Sequence, residues 1–339
     1  MEETITIRRP DDFHVHFREG GILSAVAPLT ADHFNRALAM PNTTDPIRTG
    51  EDAVQYRDQI RKAARNELFE PLMTIKITDG TTPAVIVKAK ECGVIAGKAY
   101  PVGVTTNAQE GVSDFKKLAP IFSMMQDVGM VLSLHGEISN RFVSVFKKEV
   151  KFLPTLKWLV DTFPTLKIVF EHVSTKEAVY EVSMMPDTVA ATVTVHHLFL
   201  TTDDVLGSYI LPHNFCKPIP KTAEDREVIR DAVIQGSGKF FFGSDSAPHV
   251  KMRKECGSGA AGIFSAPVVL ASLAQFFDEH NHMERFEDFV SRFGAEFYGL
   301  PLNTETVALS KSKWVIPEEY DSIVPFMANE KLLWKVVKQ

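Results

Sequence analysis

Apolar and polar residues alternate from Ile5 through His16, the mark of a strand with one face buried. Short apolar runs then recur at 36–41, 71–77, 93–100, 130–135, 167–172, 188–195 and 239–245. Between them lie stretches of helical period, such as 51–65 and 223–235. Strands that alternate with helices predict βα units and a parallel sheet. About eight such strands in one chain predict an α/β fold closed as a (β/α)8 TIM barrel. An open doubly wound sheet is the alternative, but no glycine-rich turn follows the first strand as dinucleotide binding would require. From about residue 303 the pattern shifts to shorter pieces at 306–309, 313–316 and 332–337, expected to form a small C-terminal appendage on one barrel domain spanning 1–339.

Composition narrows the function. The chain has 339 residues, which suits one barrel, and 37 basic residues against 43 acidic ones, a net charge of −6. That balance argues against nucleic acid as the main partner. No apolar run is long enough to span a bilayer, and the N-terminal MEETITIRRP lacks an apolar signal region. Cys92, Cys216 and Cys256 are odd in number and far apart, with no CxxC, as expected of free thiols in a reducing compartment. The sequon Asn42-Thr43-Thr44 is therefore discounted, and a cytoplasmic protein is expected.

The candidate chemistry begins at His14-Val15-His16. On a strand the two imidazoles share a face and Val15 points away, so both can reach one metal ion. Arg18, one step further, offers a planar cation to a carboxylate. A second HxH, His280 and His282, lies in a charged run and reads as solvated. The first pair stands out because of its company. Lys98 lies near the end of the fourth strand, His135 ends the fifth, His172 the sixth and Asp245 the eighth, all at the rim where such barrels build active sites. Four histidines, an aspartate and a lysine exceed the needs of one tetrahedral ion, whereas two ions about 3.5–4 Å apart would use them all. An ammonium has no lone pair. A carbamate formed from the Lys98 amine and CO2 would bridge both ions, and a free lysine in a salt bridge is the plain alternative.

The chain resembles the dihydroorotases of the amidohydrolase superfamily, the short bacterial and fungal type that stands as a separate polypeptide. The likeness runs from Arg9-Pro10-Asp11-Asp12-Phe13-His14-Val15-His16-Phe17-Arg18 to Val324-Pro325-Phe326-Met327-Ala328. Between these lie Met40-Pro41-Asn42, Gly97-Lys98-Ala99-Tyr100-Pro101, Leu134-His135-Gly136-Glu137, Phe170-Glu171-His172-Val173-Ser174-Thr175 and Gly243-Ser244-Asp245-Ser246-Ala247-Pro248-His249. The resemblance implies that His14, His16 and Asp245 hold one Zn2+, that His135 and His172 hold another, and that carboxylated Lys98 bridges them. It places substrate on Arg18, Asn42, His135, His249 and the backbone near Ala261, under a mobile loop 105–111 carrying Thr105 and Thr106. Lys217 stands where the family has leucine, a position that touches substrate through its main chain. The implied reaction is the reversible closure of N-carbamoyl-L-aspartate to L-dihydroorotate in pyrimidine synthesis. A hydroxide between the ions attacks in the hydrolytic direction, with Asp245 as base and then acid, and the expected assembly is a homodimer.

Other motifs carry less. Gly257-Ser258-Gly259-Ala260-Ala261-Gly262 is a GxGxxG, but it follows a charged segment and opens an apolar helix expected over 266–277. His196, His197 and His213 follow the seventh strand and are expected to be structural or to support the site. Two other functions stay open at this point: action on another cyclic amide, as in hydantoinases or allantoinases, and a non-catalytic barrel module. The carboxylate-seeking Arg18, Asn42 and His249 set argues against the first, and the complete ligand set against the second.

Overall fold

Each of the eight apolar runs becomes a strand in the structure, a computed structural model that describes residues 3–337. After β1 (Thr4–Arg8) come β2 (Asp11–Val15), β3 (Arg36–Ala39), β4 (Glu70–Ile77), β5 (Val94–Ala99), β6 (Val131–Leu134), β7 (Ile168–Phe170), β8 (Val189–Val193) and β9 (Phe240–Phe242). Strands β2 to β9 pair in chain order and all in parallel. The barrel closes between its first and last strands, where Asp245 N–H donates to the His14 carbonyl at 2.8 Å and His16 N–H to that of Ser246 at 2.9 Å. The Asp12 carboxylate reinforces the seam by accepting from the backbone N–H groups of Ser244 (2.8 Å) and His14 (3.1 Å).

Short strands buried on both faces are what a parallel barrel demands. One set of side chains, including Val15, Ala37, Ile75 and Leu132, packs with the surrounding helices. Phe13, Leu38, Leu72, Ala96, Val131, Val169, Ala190 and Phe241 form a separate cluster that fills the barrel itself. The Tyr298 ring stacks on Phe13 at 4.8 Å to close its floor. A Cβ on Gly294 would come within 2.3 Å of the same Phe13 ring, so that close approach requires glycine. The predicted helices appear at Gly50–Ala64 and Ala223–Ile234, each started by a capping box (Thr49 with Asp52, Thr222 with Asp225).

Three expectations need correction. The alternation from Ile5 to His16 is two strands in two sheets, interrupted at Arg9-Pro10. There β1 leaves the barrel to pair with β10 (Thr306–Ser310), which also pairs with β13 (Lys335–Val336). The C-terminal run 332–337 is likewise split, its first part being β12 (Lys331–Leu332), paired with β11 (Trp314–Val315). Fully buried Trp334 ties this region to the barrel by donating its indole N–H to Asp278 at 3.0 Å. Finally, Gly257 to Gly262 opens no helix. The apolar helix is Val269–Glu279, and the glycine-rich segment reaches the pocket as a loop.

Candidate active site

The β2–β3 ladder shifts register between Asp12 and Val15. Phe13 and His14, neighbours in sequence, therefore both turn inward, one to the floor cluster and the other to the rim. His14 and His16 then share a face, their ring centroids 5.3 Å apart. Both reach Asp245, whose Oδ1 lies 3.4 Å from His14 Nε2 and 3.0 Å from His16 Nε2. The His172 ring lies 5.2 Å from that of His14 and 4.7 Å from that of His135. Lys98 lies beneath them, fully buried on β5. The six residues of the expected metal set thus converge on one spot.

Left-handed backbone makes this convergence possible. Arg18, His172 and Asp245 have φ of 60°, 43° and 44°, values that cost a non-glycine residue energy and cluster at functional sites. Arg18 therefore arrives by a turn after β2 has ended, not by continuing its face. Its Nε donates to the Pro248 carbonyl at 3.2 Å, and its Nη2 sits 3.1 Å from His249 Nε2. Among the described residues no carboxylate oxygen lies within 4.0 Å of the Arg18 guanidinium. Arg18, Asn42, Thr105, Thr106, Lys217 and Ala261 line the same small pocket as the four histidines and Asp245, while His249 stands behind Arg18 and 3.1 Å from the Ala261 carbonyl. The loop 105–111 is folded over the pocket. Asn42 Nδ2 donates to the Thr106 carbonyl (3.1 Å), Asn107 Nδ2 to the Asn42 carbonyl (3.0 Å), and buried Lys76 to the Asn107 carbonyl (2.8 Å).

Burial sets the electrostatics. It holds the pKa of His14 below its ordinary value and those of His16 and His172 well below, leaving neutral imidazoles with free lone pairs. It lowers the Lys98 ammonium to about 8 against the pull of Glu171 and Asp245, and brings His249 to about 3. Several groups are left without partners. Lys98 Nζ, 3.8 Å from Glu171 Oε1, makes no hydrogen bond, and neither does His172 Nδ1. His14, His172 and Asp245 each offer a ligand atom within 4.8 Å of the others. Neutral imidazoles, a carboxylate and orphaned buried nitrogens form a donor set that fits divalent cations.

Inspection of the sequence missed the residues that hold this set in place. Glu171 accepts from His14 Nδ1 (2.8 Å), from Thr192 Oγ1 (2.6 Å) and from the Ser133 hydroxyl. Burial pushes its carboxyl up, but Lys98, His14 and Ser133 together bring it down to about 2. Its signal was the two-residue period from Val169 on β7 to Glu171, the residue just after the strand, which turns Glu171 inward with the barrel filling. Glu137 Oε2 lies 3.0 Å from His135 Nε2 and is faced by buried Lys221 at 3.9 Å. Tyr100, whose buried hydroxyl has no partner, also lines the pocket. Of the remaining histidines, His197 bridges Thr194 (2.8 Å) and the Pro218 carbonyl (3.2 Å), His213 pairs with Glu255 at 2.9 Å, and His282 pairs with Glu284 at 3.1 Å. His196 is buried with neither ring nitrogen bonded.

Comparison with known proteins points to one family. The chain is 46% identical, across 98% of both sequences, to a dihydroorotase of Shewanella sediminis. The chain belongs to the dihydroorotase family. It also superposes on a dihydroorotase of Saccharomyces cerevisiae crystallised with 5-fluoroorotic acid, with a TM-score of 0.92, 36% identity and 99% coverage of both chains. An L-hydantoinase from Arthrobacter aurescens shares the fold alone, at a TM-score of 0.84 but 16% identity, over 98% of this chain and 83% of its own. No protein-family model matches the chain. The dihydroorotase family accounts for both the metal-type donor set and the TIM-barrel fold of the amidohydrolases.

Proposed function

We propose that this chain interconverts N-carbamoyl-L-aspartate and L-dihydroorotate in pyrimidine synthesis, as a dihydroorotase. The observation that carries the reading is the meeting, in one pocket, of a metal-type donor set with a half-buried arginine that has no carboxylate oxygen within 4.0 Å. A cyclic amide bearing a free carboxylate supplies both missing partners. A hydantoin without that carboxylate would leave Arg18 with no carboxylate in contact.

His14, His16 and Asp245 would hold one Zn2+, and His135 and His172 another, with a carbamate on Lys98 between them. An amine brought to about 8 by burial keeps a neutral fraction able to take up CO2, which supports the carbamate. Bound there, such cations would supply Lewis acidity, lowering the pKa of a water and polarising the scissile carbonyl. The chain's own groups do the rest. Asp245, raised by burial and in contact with His14 and His16, takes the proton of the attacking water and passes it to the leaving ring nitrogen. Arg18 binds the free carboxylate, with Asn42 and neutral His249 beside it as uncharged donors. Thr105 and Thr106 cover the ring and exclude water, and the main chain at Lys217 and Ala261 lines its edge.

The reading includes a cytoplasmic homodimer. Three free thiols suit a reducing compartment, no helix among the described residues is long and apolar enough to cross a membrane, and exposed Tyr209, Ile210 and Leu211 offer apolar surface for a subunit contact. The deciding experiment follows dihydroorotate absorbance with zinc-loaded protein, chelated protein and Lys98→Ala. Turnover should occur only in the first. Undiminished turnover by Lys98→Ala would remove the bridging lysine, and turnover of hydantoins but not dihydroorotate would move the chain to the other activity.

A further inference from the structure

Lys254 follows the pocket histidine His249 by five residues and ends the short helix Lys251–Lys254. A lysine in so charged a segment should be solvated, yet its residue is only 3% exposed. Its ammonium donates to the Phe215 carbonyl at 3.0 Å and to the Gly262 carbonyl, and the Gly262 N–H donates to the same Phe215 carbonyl at 2.9 Å. Phe215 opens the segment that carries Lys217, and Gly262 follows Ala261. These are the two main-chain segments that line one edge of the pocket. They lie far apart in sequence, so the lysine is a cross-link between them. Among the described residues no carboxylate oxygen lies within 4.0 Å of its ammonium, as is also true of Arg18. Burial lowers the ammonium to about 8 and Arg18 adds to the fall, so it is mostly charged at neutral pH. The buried Lys254 ammonium and the half-buried Arg18 guanidinium thus stand close together, neither with a carboxylate oxygen within 4.0 Å, an arrangement that an anion in the pocket would relieve.

We propose that Lys254 is a positioning residue for the substrate's carboxylate: it fastens the 215–217 and 261–262 segments into one wall and adds a second positive charge behind Arg18. The inference rests on the dihydroorotase reading of the site. Lys254 touches neither the reacting amide nor the metal-type donors, so its effect belongs to binding and not to the chemical step. Methionine, one atom shorter, fills most of the same space without the charge or the donors.

The test uses the zinc-loaded full chain and compares wild type, Lys254→Met and Lys254→Arg. It reads kcat and KM for dihydroorotate, calorimetric binding of orotate (an unreactive ring with the same carboxylate) and metal content. Lys254→Met should raise KM and the orotate Kd by about tenfold or more, with kcat within about threefold and metal content unchanged. Lys254→Arg, which keeps the charge, should recover part of the affinity. A KM and Kd within about twofold of wild type would overturn the proposal, as would a fall in kcat with metal loss at unchanged KM. Should Lys254→Met fail to fold, the same criteria apply to Lys254→Gln, which keeps a neutral donor for the carbonyls. A wild type that binds metal but leaves dihydroorotate untouched would instead defeat the functional reading itself.

Discussion

Replacing Glu171 by glutamine tests whether the metal-type donors are held by their supports. The substitution preserves shape and one acceptor but removes the charge. Glu171 accepts from His14 Nδ1 at 2.8 Å and Thr192 Oγ1 at 2.6 Å, and also from the Ser133 hydroxyl, which can rotate to accept from the new amide instead. A hydrogen bond to a charged group contributes about 1.5–3 kcal/mol and one to a neutral group about 0.5–1.5, so the His14 bond should weaken by roughly 1–2 kcal/mol. The charge also makes the His14 ring a better donor to metal, which adds to the loss. With about 1.4 kcal/mol per decade, the expected fall in metal affinity is about 10–100-fold. The assay is zinc competition against chelators of graded strength, with thermal melting of the metal-free protein as the control for folding. Because the Glu171 carboxyl is brought from 4.5 to about 2, its own contribution to stability is present above about 4.5 and lost as pH falls through about 2, so the competition belongs near neutral pH. A Glu171→Gln protein that holds zinc within about twofold of wild type would refute the reasoning. So would one whose metal-free fold collapses.

Other expectations follow from single side chains. Glu149 accepts from Ser174 N–H at 2.9 Å through Oε1 while Oε2 has no partner, and burial raises it from 4.5 to about 7. Its favourable contribution is therefore complete below about 4.5 and lost as pH rises through about 7, so Glu149→Gln should stabilise the protein at pH ~8 by up to about 3 kcal/mol and hardly at pH ~4.5. Parallel melting curves across that range would contradict it. Lys76→Met removes the ammonium bonded to the Asn107 carbonyl and should speed amide exchange across 103–111, whereas unchanged exchange would show that the Asn42–Asn107 contacts alone hold the loop. Arg18→Met should raise KM roughly 30–100-fold by deleting a charge-assisted contact, and an unchanged KM would place the substrate carboxylate elsewhere.

Much of this site was legible because it depends on local pattern. His14 and His16 could be put on one face, and Lys98, His135, His172 and Asp245 at strand ends, since strand period and strand length are written in short runs of apolar residues. The supports were harder to see. Glu171 and His172 are neighbours, and on a regular strand they would face opposite ways; only the left-handed φ of 43° at His172 lets both turn to the site. Glu137, Lys76, Lys221 and Lys254 belong to residue types that usually sit in water. Nothing near them in sequence announced that they are buried, because their partners come from other strands and loops.

The chain's periodicity by itself determined the eight barrel strands, their order and the rim where the chemistry gathers. It did not reveal that β1 leaves the barrel to pair near the C-terminus, that a register shift turns both Phe13 and His14 inward, or that Glu171 braces His14 and Lys254 the 215–217 and 261–262 segments. Those features were decided by the closed barrel. Secondary structure follows from neighbours a few residues apart, whereas a buried charge is tolerated only where distant segments bring it partners.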